Sequence, residues 1–218
     1  MRTINLGETP SAVNSYLSEL RDASYQSNRA LFRNNIRRIG RCMAYEISKT
    51  LNYGLCRVTT PLGVATMSLP QDDVVVATVL RAGLPFHEGF LDMFDHAASA
   101  FVSAYRMYTN REHTEVGVRA EYMAAPSLEG KTLIITDPML ATGGSMAAAY
   151  EALVRHGVPR SLHIACVIAT AEGLDVVSRA VPEPATVWCA AIDEGMNEHK
   201  YIVPGFGDAG DLCYGDKL

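Results

Sequence analysis

Short apolar runs that alternate with helix-forming stretches constrain the fold of this chain more than any other feature. Each run is followed by Gly, Pro or a polar residue, and the five runs occupy residues 74–80, 100–104, 132–136, 162–169 and 187–192. Continuous apolar strands of this kind are typical of a parallel sheet whose two faces are both covered. The sequence therefore predicts an α/β fold with a parallel central sheet flanked by helices. Ligands of such folds bind outside the carboxyl ends of the strands.

A helical extension precedes the first of these strands. Between residues 11 and 51, apolar side chains recur at steps of three and four residues, which predicts an amphipathic helix. The arginines between them are interpreted as its solvated face. Residues 108–126 form a polar, weakly patterned stretch that is typical of a hairpin arm or lid. At 218 residues, the chain is expected to form one domain, residues 1–218.

The composition argues against several kinds of partner. The formal charge of -5 disfavours nucleic acid, because a nucleic-acid surface needs a basic face. The sequence has no run of about 20 apolar residues that could span a bilayer, and its first residues do not resemble a signal peptide. Five scattered cysteines without a CxxC pair indicate reduced thiols rather than disulfides or a zinc site. We therefore expect a cytoplasmic protein with no membrane or nucleic-acid partner.

The most informative segment follows the third predicted strand. A strand that turns through glycines into a helix offers backbone N–H groups and a helix N-terminus, which together bind phosphate. No Lys follows the glycines, so a loop for nucleoside triphosphate hydrolysis is disfavoured. The residues alone equally allow a tight turn with Ser145 as the helix N-cap. The segment reads Asp137, Pro138, Met139, Leu140, Ala141, Thr142, Gly143, Gly144 and Ser145.

That nine-residue run resembles the signature by which uracil phosphoribosyltransferases bind phosphoribosyl pyrophosphate (PRPP). The resemblance covers most of the chain, since the segments 43–46, 60–62, 80–84, 105–106 and 197–211 look like family segments in family order. It implies the type I phosphoribosyltransferase fold, with a hairpin arm and a C-terminal hood that binds the base. It also implies a homodimer or higher homo-oligomer, with GTP as an effector in some members.

Within the loop, the resemblance assigns a ligand to each group. Thr142 and Ser145 supply hydroxyl donors for the 5-phosphate, and Asp137 accepts hydrogen bonds from the ribose hydroxyls. Arg81 closes the first strand, where its guanidinium can fork onto phosphate oxygens; from the residues alone, a surface arginine is the other reading. By the resemblance, Arg81 and Arg106 both contact the pyrophosphate of PRPP. Mg²⁺ is expected as a cofactor that is bound mainly through PRPP.

The C-terminal segment 205–210 matches the pattern GxGxxG. A dinucleotide site is strongly disfavoured there, because the eight residues after it, which include Gly215, do not build the expected strand, turn and helix. The segment resembles instead the base-binding loop of the family. On that resemblance, backbone groups of Ile202, Gly207 and Ala209 bind uracil, and Asp208 lies toward the ribose. No histidine has a spacing that marks a nucleophile or a metal site.

The predicted reaction joins uracil to PRPP and gives UMP and pyrophosphate, a step of pyrimidine salvage. Arg81, Arg106, Asp137 and Asp208 are the predicted catalytic residues, and Asp208 is a candidate proton acceptor by location only. Met107 and Ala124 replace an acidic and a basic residue common in the family, so a lower PRPP affinity is expected. Two alternatives stay open: a transferase for another base, and a PRPP-binding regulatory protein without turnover.

Overall fold

A central sheet organises the molecule. The computed structural model describes the backbone of residues 1–108, 116–181 and 184–217, and the side chains of these ranges except those of 104–121. Within this part of the chain the sheet has eight strands, seven of which follow the order β1-β10-β9-β7-β4-β5-β6. Their bounds are β1 Arg2–Asn5, β4 Val74–Leu80, β5 Ala98–Tyr108, β6 Val116–Ala124, β7 Thr132–Thr136, β9 Ser161–Thr170 and β10 Ala185–Asp193.

The parallel sheet predicted from the five apolar runs is confirmed. Along this order, neighbouring strands pair parallel up to the pair of β4 and β5, and among the described strands of this sheet only β5 and β6 pair antiparallel. A short strand, β8 (Met139–Leu140), adds parallel pairing to β9. The strand at one end of the sheet, β1, was not predicted. Strand β1 lies before the helical extension, and its four residues carry no apolar run that would have marked it.

Two apolar cores lie on opposite faces of this sheet. Alternate residues of β4 enter different cores, with Val74 and Val76 on one face and Val75 and Ala77 on the other. This alternation follows from the two-residue period of a strand. The first core is covered by helices α1 (Ala12–Arg21), α3 (Arg29–Ser48) and α4 (Gly83–Leu91), and the second by α5 (Gly144–Leu153) and α6 (Ala171–Ala180).

The predicted N-terminal extension is helical but is not one helix. It divides into α1, a short α2 (Ala23–Gln26) and α3, the last of which has 20 residues. Each break carries an N-cap: Asp22 accepts a hydrogen bond from the N–H of Ser24 at 2.8 Å, and Asn28 accepts from that of Ala30 at 3.1 Å. Asp and Asn favour such caps because their short side chains satisfy the first backbone donors of a helix. The apolar periodicity runs across both caps, so it did not reveal them.

An exposed hairpin stands apart from the central sheet. Strands β2 (Tyr53–Thr60) and β3 (Gly63–Pro70) pair only with each other in a separate antiparallel sheet. Neither apolar core includes a residue of this hairpin. The hairpin arm or lid predicted over residues 108–126 includes the end of β5 and all of β6, which form a hairpin, and its residues 109–115 lie outside the described residues.

The C-terminal segment forms the predicted hood over the carboxyl edge of the sheet. It consists of a two-stranded sheet, β11 (Gly195–Met196) with β12 (Ile202–Val203), and a short helix, α7 (Ala209–Tyr214). All five cysteines are free thiols, as predicted. Among the described helices, none combines the length and the apolar character that crossing a membrane requires.

Candidate active site

A cavity of about 600 Å³ opens at the carboxyl edge of the sheet, between the strand ends and the hood. This is the place where open α/β sheets bind ligands, and the volume suits a molecule of nucleotide size. Ten of the predicted site residues line it: Arg81, Asp137, Met139, Leu140, Ala141, Thr142, Gly143, Ser145, Ile202 and Asp208. Pro138, Gly144, Gly207 and Ala209 belong to the same loops but do not line the cavity. The side chain of Arg106 lies outside the described residues.

The phosphate loop has the predicted form of a strand, a glycine turn and a helix. Gly143 is the N-cap of α5 with φ of +77° and no side-chain cap, and Ser145 lies in the first turn. The alternative that Ser145 caps the helix is therefore wrong. The first helical bond joins the N–H of Ala147 to the carbonyl of Gly143, so the preceding N–H groups are directed out of the helix N-terminus.

Packing against α6 holds this loop in place. A Cβ on Gly143 would lie 2.7 Å from the carbonyl oxygen of Gly173, which excludes any larger residue there. The hydroxyl of Thr170 donates to the carbonyl of Ala141 at 2.7 Å and accepts from the N–H of Gly173 at 2.9 Å. These contacts fix the path of the loop before a ligand arrives, which lowers the ordering cost of binding.

Asp137 directly follows β7 at the floor of the cavity. Its backbone N–H donates to the carbonyl of Ala165 at 3.0 Å, and its Oδ1 accepts from the N–H of Met139 at 3.3 Å. Burial raises the pKa of the Asp137 carboxyl to about 7, and the Met139 hydrogen bond offsets only part of that effect. Hydroxyl donors on a ligand would stabilise the ionised carboxylate there, because their hydrogen bonds replace those of the lost solvent.

Arg81 stands at the end of β4, after a cis peptide bond that joins it to Leu80. Its Nη2 donates to Oδ1 of Asp211 at 2.9 Å, and its Nη1 lies 3.4 Å from the carbonyl of Gly215. The backbone turns closely after it, because a Cβ on Gly83 would lie 2.1 Å from Oγ1 of Thr78. Arg81 therefore belongs to the cavity wall and is joined to the hood.

Asp208 is the N-cap of α7, and its Oδ1 accepts from the N–H of Asp211 at 3.0 Å. Its Oδ2 lies 3.1 Å from Nζ of Lys217. Burial alone would raise the pKa of Asp208, but the Asp211 N–H and the Lys217 ammonium lower it below its usual value. A carboxylate with a lowered pKa is a poor proton acceptor at neutral pH, so the structure gives no support to Asp208 as the general base.

Several residues that line the cavity were missed by sequence reasoning. Lys217 adds a cation beside Asp208, and the segment before β12 adds His199, Lys200 and Tyr201. His199 is exposed and lies 3.5 Å from Glu198. A lone lysine nine residues beyond Asp208 carries no signal in the sequence, because its position depends on the turn that follows α7.

The described carboxylates do not form a metal cage. No group of three or more His, Cys, Asp or Glu side chains in this part of the chain is arranged to hold a metal ion. Among the described residues that line the cavity, the carboxylates are Asp137 and Asp208. Such a donor set fits a Mg²⁺ ion whose ligands are mostly substrate oxygens and water.

The sheet order, the phosphate loop after β7 and the hood over the strand ends define a protein of the type I phosphoribosyltransferase fold. A solved structure, that of the AQ2163 protein from Aquifex aeolicus, is similar over 99% of both chains, with a TM-score of 0.87 and 27% identity. That of TT1426 from Thermus thermophilus covers 81% of this chain and 95% of its own, with a TM-score of 0.51, and at 14% identity it shows the fold alone.

The family model of uracil phosphoribosyltransferase matches residues 8–216. A uracil phosphoribosyltransferase of Porphyromonas gingivalis is 52% identical over all 218 residues of both proteins. One from Methanothermobacter thermautotrophicus is 39% identical over 188 residues, which is 85% of this chain and 84% of that protein. The chain belongs to the uracil phosphoribosyltransferase family, as the resemblance in its phosphate loop predicted.

Proposed function

We propose that this chain is the enzyme that joins uracil to PRPP and releases pyrophosphate, giving UMP in pyrimidine salvage. The observation that carries the proposal is the cavity between the phosphate loop and the hood, with Asp137 at its floor. The matched family and the relatives of Porphyromonas gingivalis and Methanothermobacter thermautotrophicus name the same activity. A pentosyltransferase needs one site for a phosphorylated ribose and another for a base, and the two walls of the cavity suit these roles.

In the proposed reaction, N1 of uracil forms a bond to C1 of the ribose while the bond from C1 to the pyrophosphate oxygen breaks. The bonding electrons leave with pyrophosphate, and uracil loses its N1 proton. The ribose carries positive charge as the bond breaks, so catalysis consists mainly of positioning and charge stabilisation. Bound Mg²⁺ would neutralise charge on the pyrophosphate oxygens. Asp137 and Asp208 line the cavity and would assist in holding the ion.

The residues of the cavity divide between the two substrates. The N–H groups of the loop from Ala141 to Ser145 would bind the 5-phosphate at the N-terminus of α5. Ionised Asp137 would accept hydrogen bonds from the ribose hydroxyls, and Asp208 would lie toward the same ribose. Arg81, with Arg106 as the second expected contact, would stabilise the departing pyrophosphate.

Base recognition is assigned to the loop from Ile202 to Ala209. Its backbone donors and acceptors would match O2, N3 and O4 of uracil. Cytosine presents the opposite pattern at N3 and at position 4, so it would leave fixed backbone groups unpaired. A site built in this way can reject the wrong base strongly.

The exposed hairpin supports a homo-oligomer. Strand pairing places Cys56, Val58, Ala65, Met67 and Leu69 on one face of it, and no charged residue shares that face. Val58, Met67 and Leu69 are exposed. A two-stranded hairpin is marginal by itself, and a strand face that is mostly apolar and carries no charge normally packs against another surface.

We assign this apolar face to a second copy of the chain. Strands of eight residues give a face of roughly 270 Å², so two exchanged arms and the surfaces they cover would bury roughly 1,100 Å². This is close to the lower limit of about 1,000 Å² for a specific interface. We also propose that residues 1–218 form one domain, because both apolar cores share the central sheet. A cytoplasmic location and a GTP effector are proposed from the family alone.

The test is formation of UMP from uracil and PRPP with Mg²⁺, with cytosine, hypoxanthine and orotate as alternative bases. The Asp137→Asn variant is compared in parallel because it preserves the shape of the side chain. Turnover with uracil that collapses in the variant is the expected result. Turnover with another base but not with uracil would replace uracil as the proposed substrate. Binding of PRPP without turnover of any base would favour a regulatory protein.

A further inference from the structure

A buried ion pair joins the N-terminal helices to the base loop. Arg21, the last residue of α1, forks onto Asp193, the last residue of β10: Nη2 lies 2.6 Å from Oδ1 and Nη1 lies 3.0 Å from Oδ2. The Asp193 side chain is only 4% exposed, and that of Arg21 is 24% exposed. Neither residue lines the cavity, although Asp193 ends a strand at the edge of the sheet where ligands bind.

The same ion pair holds both backbone groups of one loop residue. The N–H of Gly205 donates to Oδ2 of Asp193 at 2.9 Å, and the carbonyl of Gly205 accepts from Nη1 of Arg21 at 3.2 Å. Gly205 has φ of +54°, and a Cβ there would lie 2.1 Å from the carbonyl oxygen of Ile202. The turn is therefore tight, and it lies between Ile202 and Gly207, two of the residues assigned to uracil.

The next residue of the loop is held by the same helical layer. Nε2 of Gln26 donates to the carbonyl of Phe206 at 2.9 Å and to the carbonyl of Leu20 at 2.8 Å. The ring of Phe206 packs edge-on against Phe32 of α3, with centroids 5.7 Å apart. Helices α1, α2 and α3 thus fix two successive residues of the loop by polar and apolar contacts.

We propose that Arg21 and Asp193 are positioning residues for the base, so that the N-terminal helices set the affinity and selectivity for uracil. This inference rests on the proposed function. Two charges withdrawn from water contribute little net stability, because desolvation offsets their attraction. Their forked geometry instead fixes the backbone of Gly205 in space. Backbone groups that select a base must be held within about 0.5 Å of their productive positions.

The inference separates the two substrates. PRPP is assigned mainly to the loop after β7 and to Arg81, none of which contacts Arg21 or Asp193. Asp208, which lies toward the ribose, is held separately by the N–H of Asp211 and by Lys217. Loosening the loop at Gly205 therefore weakens uracil binding and leaves PRPP binding unchanged. It also lowers the preference for uracil over cytosine, since a loop that can shift leaves fewer groups unpaired against the wrong base.

Four variants test the proposal: Asp193→Asn, Arg21→Met, Arg21→Lys and the double variant Arg21→Met with Asp193→Asn. The control is the double variant Arg37→Met with Asp92→Asn, which removes another forked pair, at 2.7 and 2.8 Å, between α3 and the end of α4. For each, KM for uracil, KM for PRPP, kcat, the uracil-to-cytosine ratio and the thermal midpoint are measured.

Either single charge removal should raise KM for uracil by about tenfold to a hundredfold and keep KM for PRPP within about twofold of wild type. Arg21→Lys should give an intermediate value, because it keeps the charge without the fork. The single variants should also lower the thermal midpoint. The double variant leaves neither charge unpaired, so it should regain stability while its KM for uracil stays raised.

A double variant with wild-type KM for uracil and wild-type base selectivity would overturn the inference. So would an equal rise of both KM values, because that indicates general loosening of the fold. Absence of uracil turnover in the wild type is a different result: it would reject the proposed function and, with it, the substrate named here.

Discussion

The guanidinium of Arg81 donates to the carboxylate of Asp211 across 2.9 Å and so joins the end of β4 to helix α7. Both side chains are partly exposed, 43% for Arg81 and 29% for Asp211. The arginine proposed to bind pyrophosphate is thus held at the cavity wall by a residue of the hood. Because exposed ion pairs contribute at most about 1 kcal/mol, this contact can yield to a phosphate ligand.

This relationship predicts different outcomes for its two partners. Arg81→Gln should lower kcat/KM for PRPP by about a hundredfold, which corresponds to the loss of about 2 to 3 kcal/mol of charge-assisted hydrogen bonding. Asp211→Asn should change it by less than about fivefold, since only an exposed pair is lost. Steady-state kinetics with varied PRPP measures both. Equal losses in the two variants would mean that Arg81 acts only through the ion pair.

The raised pKa of Asp137, about 7, predicts a dependence of PRPP affinity on pH. The ionised carboxylate accepts hydrogen bonds from two ribose hydroxyls, whereas the protonated acid accepts less well. Affinity for PRPP should therefore rise between about pH 6 and pH 8. Titration calorimetry at several pH values measures this. The Asp137→Asn variant should bind more weakly and show a smaller rise, whereas an unchanged slope would assign it to another group.

The same carboxyl predicts a change in stability with the opposite sign. Its pKa is raised in the folded chain, so its stabilising contribution is present below the unfolded value of 3.8 and is lost as pH rises through about 7. Without ligand at pH 8, Asp137→Asn should therefore unfold at a higher temperature than wild type. At pH 4 the two proteins should be nearly equal. A variant that is less stable at pH 8 would contradict the burial of this charge.

The sequence allowed most of the sheet and the phosphate loop to be predicted, because both depend on local patterns. Apolar runs identify strands such as β4 and β7, and the bounds of these two were predicted without error. Gly143, Gly144 and Ser145 mark the turn from strand to helix. The family resemblance then supplied the ligands, which the residues alone left open.

The contacts between distant segments could not be predicted in this way. Arg21 and Asp193 are 172 positions apart, and no spacing rule connects them. Lys217 meets Asp208 only because the chain turns back after α7. The hairpin of β2 and β3 was also missed. It has no continuous apolar run of the kind that marks the buried strands, and no described element covers its apolar residues.

Lys217 lines the cavity and lies 3.1 Å from Asp208, which predicts a contribution to PRPP binding. The basic residue common in the family is absent at Ala124, so this ammonium is a cation that remains near the phosphates. Lys217→Met should raise KM for PRPP by about fivefold at low ionic strength and by less at high salt. The control is Lys131→Met, which removes a partly buried lysine that lies 3.8 Å from Asp73, at the other edge of the sheet. The same effect in both variants would indicate only the change in net charge.

The apolar face of the hairpin predicts the behaviour of the chain in solution. Met67 lies on that face and Thr66 lies on the opposite one, so a lysine at each position compares the face assigned to the partner copy with the other face. Met67→Lys should raise the dissociation constant of the dimer by more than about a hundredfold, because it would bury an unpaired charge. Thr66→Lys should leave the dimer intact. Sedimentation velocity over a dilution series measures both.

Neither substitution is expected to change the stability of the monomer, since the hairpin lies outside both apolar cores. The thermal midpoints of the two variants, extrapolated to the monomer, should therefore agree with each other. A dimer that persists in Met67→Lys would assign the interface to another surface. A wild-type chain that sediments as a monomer at micromolar concentration would remove the need for a partner copy, and the exposed face would then require a different occupant.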